Sequence, residues 1–340
     1  MLRLTAVSTT FVFLLAVAVP AAVAAPADGH DSDTGRVVWT NAPDNTFSVG
    51  HLVSARPGGG GFRMLTPDTP GVNDIDASTA PNGEQIVFQR DHGDSTHLRI
   101  VDAEGRHDHA LRLGCSDPCL ADVAPVWLGN GRIAFTRLVL PFDPGGFLHS
   151  AVLYTARPDG SEVRRLSTAG IDGRYEDSYA RLSPGRDYIT FLRQRNADGA
   201  VALYRMTPHG GHVRQLTPFG PHIGNYDLSP ARSGPTADLL AFDTFREGQT
   251  SLDIATVPAT CAALANCAAK IRFLTHNAGG ARRNGNPTWS PDGKRLAFTE
   301  RDSIDDVDAN IVTARPDATD RRLVSRSPLF DYRPDWGVAD

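Results

Sequence analysis

The stretch Pro287-Thr-Trp289-Ser-Pro-Asp-Gly293-Lys-Arg-Leu-Ala-Phe298-Thr decides the fold of this 340-residue chain. Its Asp-Gly pair lies between two apolar segments, which predicts two antiparallel strands joined by a tight turn. The second half of the stretch is a polar residue, two mostly apolar residues and an aromatic residue, and this pattern recurs six times. The recurring aromatic residues are Trp39, Phe88, Phe135, Phe191, Phe242 and Phe298. They lie 47 to 56 residues apart, which is enough for four short strands and their turns.

Each repeat continues into a second hairpin. It is clearest at Leu153-Tyr-Thr-Ala-Arg-Pro-Asp-Gly160 followed by Val163-Arg-Arg-Leu166-Ser. The alternation of polar and apolar residues is typical of strands, and no segment of ten or more residues in the exported part of the chain shows a convincing helical period. A four-stranded unit cannot bury both faces alone, whereas six units around an axis cover one another. We therefore predict an all-β, six-bladed β-propeller with four-stranded antiparallel blades.

The two ends of the repeat region predict how the ring closes. The region opens at Arg36 with the second strand of a unit, and it finishes at Pro334-Asp-Trp336-Gly, which matches the first strand of the unit at Pro287. The C-terminal strand is thus expected to join the N-terminal blade.

The quoted residues, together with Ala156-Arg-Pro-Asp-Gly160 leading to Arg165-Leu166-Ser, resemble the WD-like repeats of the TolB-type propeller family. The resemblance covers Gly35 to Gly337 and implies architecture more than function, since the same propeller carries several activities. The α/β domain that precedes the TolB propeller has no counterpart before Arg36, which puts a Tol-Pal role in doubt. An associated serine peptidase is not expected, because the chain contains no Gly-x-Ser-x-Gly motif and no hydrolase domain.

The N-terminal residues are typical of a signal peptide. Arg3 precedes the apolar run Phe11 to Val19, and Ala22 and Ala24 stand at the positions that a signal peptidase recognises. We expect a signal peptide at 1–24, a flexible segment at 25–34 and the propeller at 35–340. The protein is then secreted or held in the cell envelope, has no membrane span and is a monomer. Abundant Ala, Arg and Gly beside two lysines suggests a GC-rich bacterial source.

The four cysteines form two close pairs, Cys115 with Cys119 and Cys261 with Cys267. Three pairings are conceivable. In an exported protein we expect the two local bonds, which would hold loops rather than the fold. The alternative is a metal site, but neither spacing resembles a zinc site.

A binding site is predicted at the channel-mouth face, where the linkers enter the innermost strands. Five residues before the Trp289 position, the aligned units carry Asp74, Asp122, Asp177, Ile223, Asn284 and Asp331. Two residues further on they carry Asp76, Ala124, Tyr179, Asn225, Asn286 and Arg333. Such a ring of acidic and amide groups suits a cationic group, a peptide amine or a metal ion. The alternative is structural, because Asp and Asn commonly bind backbone N–H groups in turns. Departures from the repeat, such as Ile223, Tyr179 and Arg333, are the better functional candidates.

Two irregular loops lie on the same predicted face. The first is unusually apolar, which suits a patch for a partner or a loop folded over its own blade; its candidate residues are Leu138, Leu140, Phe142 and Phe147. The second gathers Asp302, Asp305, Asp306 and Asp308, a weak calcium candidate without the EF-hand glycine and terminal glutamate. Otherwise no metal or other cofactor is expected.

The sequence favours a non-enzymatic module that binds a protein or peptide at the channel mouth. Phosphate-binding, metalloprotease and nucleophile motifs are lacking, and a dispersed net charge of −5 argues against nucleic acid as partner. The main alternative is a secreted polysaccharide lyase or hydrolase whose polar side chains converge at the mouth from several blades. The third is a calcium-stabilised scaffold. The enzyme hypothesis predicts a compact asymmetric cluster of His, Arg and carboxylates, whereas the binding hypothesis predicts a wider surface with exposed apolar groups.

Overall fold

The computed structural model describes residues 34–116, 118–140, 150–168, 173–183, 188–220, 223–246, 251–264, 266–277, 282–303 and 307–338. These residues form six four-stranded antiparallel sheets. Their only helical elements are two short 3₁₀ turns, at Cys261–Ala263 and Ala268–Lys270. The chain is therefore an all-β, six-bladed β-propeller, as predicted. Within these ranges no helix is long and apolar enough to cross a membrane.

The first half of the ring comprises blades 1 to 3. Their strands are β1 (Arg36–Ala42), β2 (His51–Ala55), β3 (Arg63–Met64), β4 (Val72–Thr79), β5 (Gln85–His92), β6 (Ser95–Asp102), β7 (His109–Ala110), β8 (Cys119–Trp127), β9 (Ile133–Val139), β10 (Ser150–Ala156) and β11 (Arg164–Arg165). Blade 2 is β4 to β7 and blade 3 is β8 to β11, each in sequence order from the innermost strand outwards. The outermost strands are only two residues long, which leaves little unpaired edge.

The second half repeats this arrangement in blades 4 to 6. Its strands are β12 (Tyr175–Leu182), β13 (Ile189–Arg195), β14 (Val201–Met206), β15 (Arg214–Gln215), β16 (Tyr226–Leu228), β17 (Leu239–Phe245), β18 (Leu252–Pro258), β19 (Arg272–Phe273), β20 (Arg283–Trp289), β21 (Leu296–Arg301), β22 (Asn310–Ala314), β23 (Arg322–Leu323) and β24 (Phe330–Gly337). Blade 4 is β12 to β15, blade 5 is β16 to β19 and blade 6 is β20 to β23.

The ring closes through β24, which is the innermost strand of blade 1. It pairs antiparallel with β1, with Trp336 opposite Val37 and Asp331 opposite Asn41. Trp336 and Trp39 thus belong to one sheet, and the predicted closure is confirmed. The strand order of this blade is β24-β1-β2-β3.

The hydrophobic core lies between neighbouring blades. All six recurring aromatic residues are buried, and the cluster around Phe135 combines side chains of blades 2 and 3, including Val87 and Ile100. The hairpins between third and fourth strands also pack against the preceding blade. At Gly160, which has φ +81°, an added Cβ would lie 2.8 Å from the carbonyl oxygen of Arg112. The Asp-Gly turn of this hairpin therefore serves inter-blade packing as well as chain reversal.

Candidate functional site

Three of the predicted mouth carboxylates lie inside their own blades. Each faces an arginine of the second strand and accepts two hydrogen bonds from it at 2.6 to 2.8 Å. These buried Asp–Arg pairs are Asp74–Arg90, Asp122–Arg137 and Asp177–Arg193. In each pair the guanidinium also lies 5.4 to 5.6 Å from the ring of the recurring aromatic residue. The structural interpretation of the sequence expected these carboxylates to bind backbone N–H groups. In the structure they bind arginine side chains instead. None of these carboxylates lines the channel.

The other polar residues at this position are buried as well. Asn284 is 2% exposed and Asp331 is fully buried. Asp331 accepts hydrogen bonds from Trp39 Nε1 at 2.8 Å and Asn41 Nδ2 at 2.6 Å. Burial nevertheless raises the pKa of Asp331 to about 6. This carboxylate orients the tryptophan of the closing blade, and it faces β1 rather than the channel.

The second set of predicted mouth positions lies two residues after the first set along the chain. These positions coincide with a β-bulge of the innermost strand. Five of these six residues have positive φ, between 48° and 55°, and they are Asp76, Ala124, Tyr179, Asn286 and Arg333. The ladder shifts register at each of them. A bulge re-aims side chains and is common next to functional sites. Three of these five residues, Asp76, Asn286 and Arg333, line one cavity.

In blades 2, 3 and 5, the side chain of the residue after the recurring aromatic accepts a hydrogen bond from the bulge of the next blade. Ala124 N donates to Gln89 Oε1 at 3.2 Å, and Tyr179 N donates to Thr136 Oγ1 at 3.2 Å. In the same way Asn286 N donates to Asp243 Oδ2 at 2.8 Å. Each of these three blades thereby fixes the backbone of its neighbour at the bulge.

Blade 4 lacks this contact, and the backbone of blade 5 is therefore held by a different side chain. The residue after Phe191 is Leu192, whose side chain cannot accept a hydrogen bond. Asn225 N instead donates to Asp243 of its own blade, at 2.9 Å from Oδ1. Asp243 thus supports two neighbouring channel residues, Asn225 and Asn286.

In the channel, an ion pair joins two residues that are far apart in the sequence. Arg333 Nη1 lies 2.5 Å from Asp76 Oδ1, linking blades 1 and 2. Tyr179 of blade 4 belongs to the same group, because the charge of Asp76 and, secondly, burial raise its pKa, whereas Arg333 opposes the rise. The charge of Asp76 likewise raises the pKa of Arg333 above its ordinary value. Residues of three blades therefore share one electrostatic field.

A second polar layer, not predicted from the sequence, follows two residues further along the innermost strands. Asp227 accepts hydrogen bonds from Trp289 N at 2.8 Å and Leu228 N at 2.8 Å, and burial raises its pKa to about 6. Asp335 accepts one from Thr79 N at 2.8 Å, and burial raises its pKa as well. The period of two along a strand was the signal that would have identified this layer.

Together the two layers form what we call the channel cluster. It consists of Asp76, Tyr179, Arg181, Asn225, Asp227, Asn286, Thr288, Arg333 and Asp335, most of which line one cavity. The free space among them is about 60 Å³, enough for a few water molecules. Five of the ten predicted binding residues belong to this cluster. Arg181, Asp227, Thr288 and Asp335 were missed.

The remaining predicted sites have varied outcomes. Leu140 is exposed, Leu138 is partly buried, and Phe142 and Phe147 lie outside the described residues. Of the calcium candidates, Asp302 pairs with Arg282 at 2.9 Å and Asp308 is exposed, whereas 305 and 306 lie outside the described residues.

Both predicted disulfides are formed, Cys115–Cys119 and Cys261–Cys267. The cysteines of the first lie close to Asp122, a grouping that resembles a metal site. Disulfide sulfurs cannot act as thiolate ligands, however, and Asp122 is already paired with Arg137.

These features define a TolB-like six-bladed propeller with a polar central channel. The crystal structure of TolB from Acinetobacter baumannii is similar, with a TM-score of 0.66 at 16% identity over 90% of this chain and 67% of that chain. The structure of a putative TolB from Agrobacterium tumefaciens gives 0.59 at 15% identity over 91% and 100%. A chain of a nidogen/laminin complex gives 0.59 at 10% identity over 89% and 99%. At these identities the likeness shows the fold alone. No protein-family profile and no curated protein matches the sequence.

Proposed function

We propose that this chain is a non-enzymatic binding module that recognises a protein or peptide at the channel-mouth face. The observation that carries the proposal is an aromatic patch beside the channel cluster, in which the exposed ring of Phe47 packs on the buried rings of Phe330 and Tyr332. Phe47 is 52% exposed, on the loop between β1 and β2. Its ring meets Phe330 at 5.4 Å and Tyr332 at 5.0 Å, both edge to face.

The aromatic patch is continuous with the charged channel. Tyr332 directly precedes Arg333, which forms the ion pair with Asp76 in the channel. Val307, which is 59% exposed, lies on the neighbouring loop of blade 6. It stands two residues before Ala309, which forms a β-bridge with Phe330. Aromatic side chains and arginine are the residues enriched where protein interfaces concentrate their binding energy. The patch thus supports an apolar anchor next to a polar centre.

The channel cluster favours hydrogen-bond donors in the bound segment. It contains three carboxylates (Asp76, Asp227, Asp335) and two guanidiniums (Arg181, Arg333). Two side-chain amides add acceptors as well as donors. A peptide N–H, an amine or a basic side chain suits this balance. The small free volume suits one inserted group rather than a whole ligand.

The alternative, a polysaccharide lyase or hydrolase, has less support. It predicts histidine in the cluster, and none of the described channel residues is histidine. Asp227 and Asp335 have the raised pKa values of general acids, but each already accepts a backbone N–H of the neighbouring blade. These contacts support a structural role for both carboxylates, in joining neighbouring blades.

The two disulfides support a location outside the reducing cytoplasm, in the envelope or the extracellular space. We therefore include export of the protein in the proposed function.

The test is capture of partners from the native secretome or envelope fraction on immobilised wild-type protein. Phe47→Ala and Arg333→Ala should each lose a specific partner that the wild type retains. The matched control is Phe62→Ala, because Phe62 is as exposed as Phe47 but lies on the hairpin between β2 and β3, at the opposite face. If both mouth variants retain every wild-type partner, the proposed surface is wrong. A hydrolytic or lyase activity on polysaccharide that disappears in Asp335→Asn would favour the alternative.

A further inference from the structure

In blade 3 three arginines converge on one carboxylate. Arg132 Nη1 lies 3.0 Å from Glu162 Oε2, and Arg132 Nη2 donates to the backbone oxygen of Glu162 at 2.7 Å. Arg157 approaches Glu162 at 2.7 Å and Arg164 at 3.4 Å. Glu162 occupies the left-handed position of the hairpin between the third and fourth strands, with φ 51°.

Blade 6 repeats this arrangement with an aspartate. Arg295 Nη1 lies 2.6 Å from Asp320 Oδ2, and its Nη2 donates to the backbone oxygen of Asp320 at 2.6 Å. Arg322 pairs with the same carboxylate at 3.0 Å, and Arg315 lies 3.7 Å from it. Asp320 also has φ 51°. The two blades therefore share one local design, three arginines around one acidic side chain.

Blade 1 keeps the three arginines and replaces the acidic residue with glycine. Arg36 stands three residues before the recurring aromatic, Arg56 lies in the same Ala-Arg-Pro sequence, and Arg63 follows two residues after the turn position. That position is Gly61, with φ 65°. Arg36 Nη2 donates to the backbone oxygen of Gly61 at 2.6 Å, as in the other two blades. Only the carboxylate is lacking.

The space for that carboxylate is open. A Cβ built at Gly61 would lie 3.7 Å from Arg36 Nη1 and 3.8 Å from Arg56 Nε, both ordinary contacts. The arginines border a cavity of about 220 Å³ between blades 1 and 2, on the face opposite the channel mouth. The guanidinium of Arg56 and the Nη1 of Arg36 have no hydrogen-bond partner among the described residues.

The positive charges here are only partly balanced. Glu104 of blade 2 lies 3.7 Å from Arg63, and no other carboxylate within the described ranges pairs with the three arginines. Burial, followed by the charges of Arg63 and Arg56, holds the pKa of the Arg36 guanidinium below its ordinary value. Like charges gathered around an open cradle attract an anion from solution.

We propose that blade 1 binds an exogenous oxyanion, a carboxylate or phosphate group, between Arg36, Arg56 and Arg63. The oxyanion takes the place that Glu162 holds in blade 3 and Asp320 in blade 6. This site is separate from the proposed mouth function and does not depend on it.

The test titrates the full chain with acetate and, separately, with phosphate at constant ionic strength, followed by calorimetry and by the melting temperature. Wild-type protein should bind at least one of the two anions saturably, and the arm that binds identifies the chemistry. Gly61→Asp supplies the carboxylate internally, so we expect at least tenfold weaker binding and a melting temperature that no longer responds to the anion. Glu162→Gly should create a second site in blade 3.

The matched control is Arg214→Ala, which removes the arginine of blade 4 equivalent to Arg63. In the described part of blade 4, Tyr188 and Thr207 stand at the positions of the other two arginines. The control variant should bind as the wild type does, whereas Arg63→Ala should bind at least tenfold more weakly and still fold, since Arg63 is half exposed. The proposal is overturned if wild-type protein shows no saturable binding, or if Gly61→Asp and Arg63→Ala bind as tightly as the wild type.

Discussion

The buried Asp–Arg pairs and the channel cluster stand two residues apart on the same innermost strands, and they differ in every other respect. The pairs repeat almost identically in blades 2, 3 and 4, and each is contained in one blade. The channel cluster takes unlike residues from several blades, and its central ion pair, Arg333 with Asp76, joins blade 1 to blade 2. Side chains two residues apart on a regular strand share a face, and the β-bulge at the second position re-aims its side chain out of the blade. Residues that repeat from blade to blade therefore stabilise the individual blades. Residues that differ between blades form the surface of the central channel.

Removing a carboxylate from a buried pair is the most damaging way to test this comparison. Asp177→Ala leaves the Arg193 guanidinium without its partner inside the blade, where it also lies 4.7 Å from the ring of Tyr204. We expect a loss of about 3 kcal/mol in the free energy of unfolding, measured by urea denaturation.

The control for this experiment is Asp198→Ala, which breaks the surface pair between Asp198 and Arg195. Exposed ion pairs contribute little, so its denaturation midpoint should stay unchanged. Equal effects of the two substitutions would mean that the buried pairs are not structural, and the distinction between the two positions would fail.

The dependence of stability on pH provides a second test, through Asp331. Burial raises its pKa in the folded protein to about 6, well above its ordinary value of 3.8, so the folded state binds the proton more tightly than the unfolded state. The resulting stabilisation is fully present below about pH 4 and is lost as pH rises through 6, a change of about 3 kcal/mol. Asp331→Asn keeps an acceptor for Trp39 and Asn41 but carries no charge. It should therefore flatten this slope and exceed the wild type in stability at pH 7.

Two further carboxylates calibrate that measurement. Asp227 also has a pKa of about 6, so part of the slope should remain in Asp331→Asn. Asp198 has a pKa lowered to about 2 by its hydrogen bond from Arg195, so Asp198→Asn should not change the slope between pH 4 and 6. A wild-type protein whose stability rises steadily over that window would contradict the assignment.

The sequence predicted the blades well because their signals are local. The recurring aromatics and the Asp-Gly hairpins depend on neighbours along the chain, and the match of Trp336 to Trp289 was enough to place the closing strand. The site was predicted only in part because its contacts are not local. The recurring Asp74, Asp122 and Asp177 were recognised, but their arginine partners depend on cross-strand register. Arg333 and Asp76 are 257 residues apart, and no periodicity indicates that they meet.

The subtlest test concerns the titration of Tyr179 inside the channel cluster. The charge of Asp76 is the largest cause of its raised pKa, ahead of burial, and Arg333 acts in the opposite direction. Asp76→Asn should therefore lower the pKa of Tyr179, and Arg333→Gln should raise it. Both shifts are read from the ultraviolet absorbance of tyrosinate, with Tyr179→Phe assigning the signal. If Asp76→Asn and Arg333→Gln shift the titration in the same direction, or leave it in place, these side chains do not share one field and the channel cluster is not a unit. Opposite shifts would show that blades 1, 2 and 4 meet electrostatically at the axis, which no pair buried within a single blade can do.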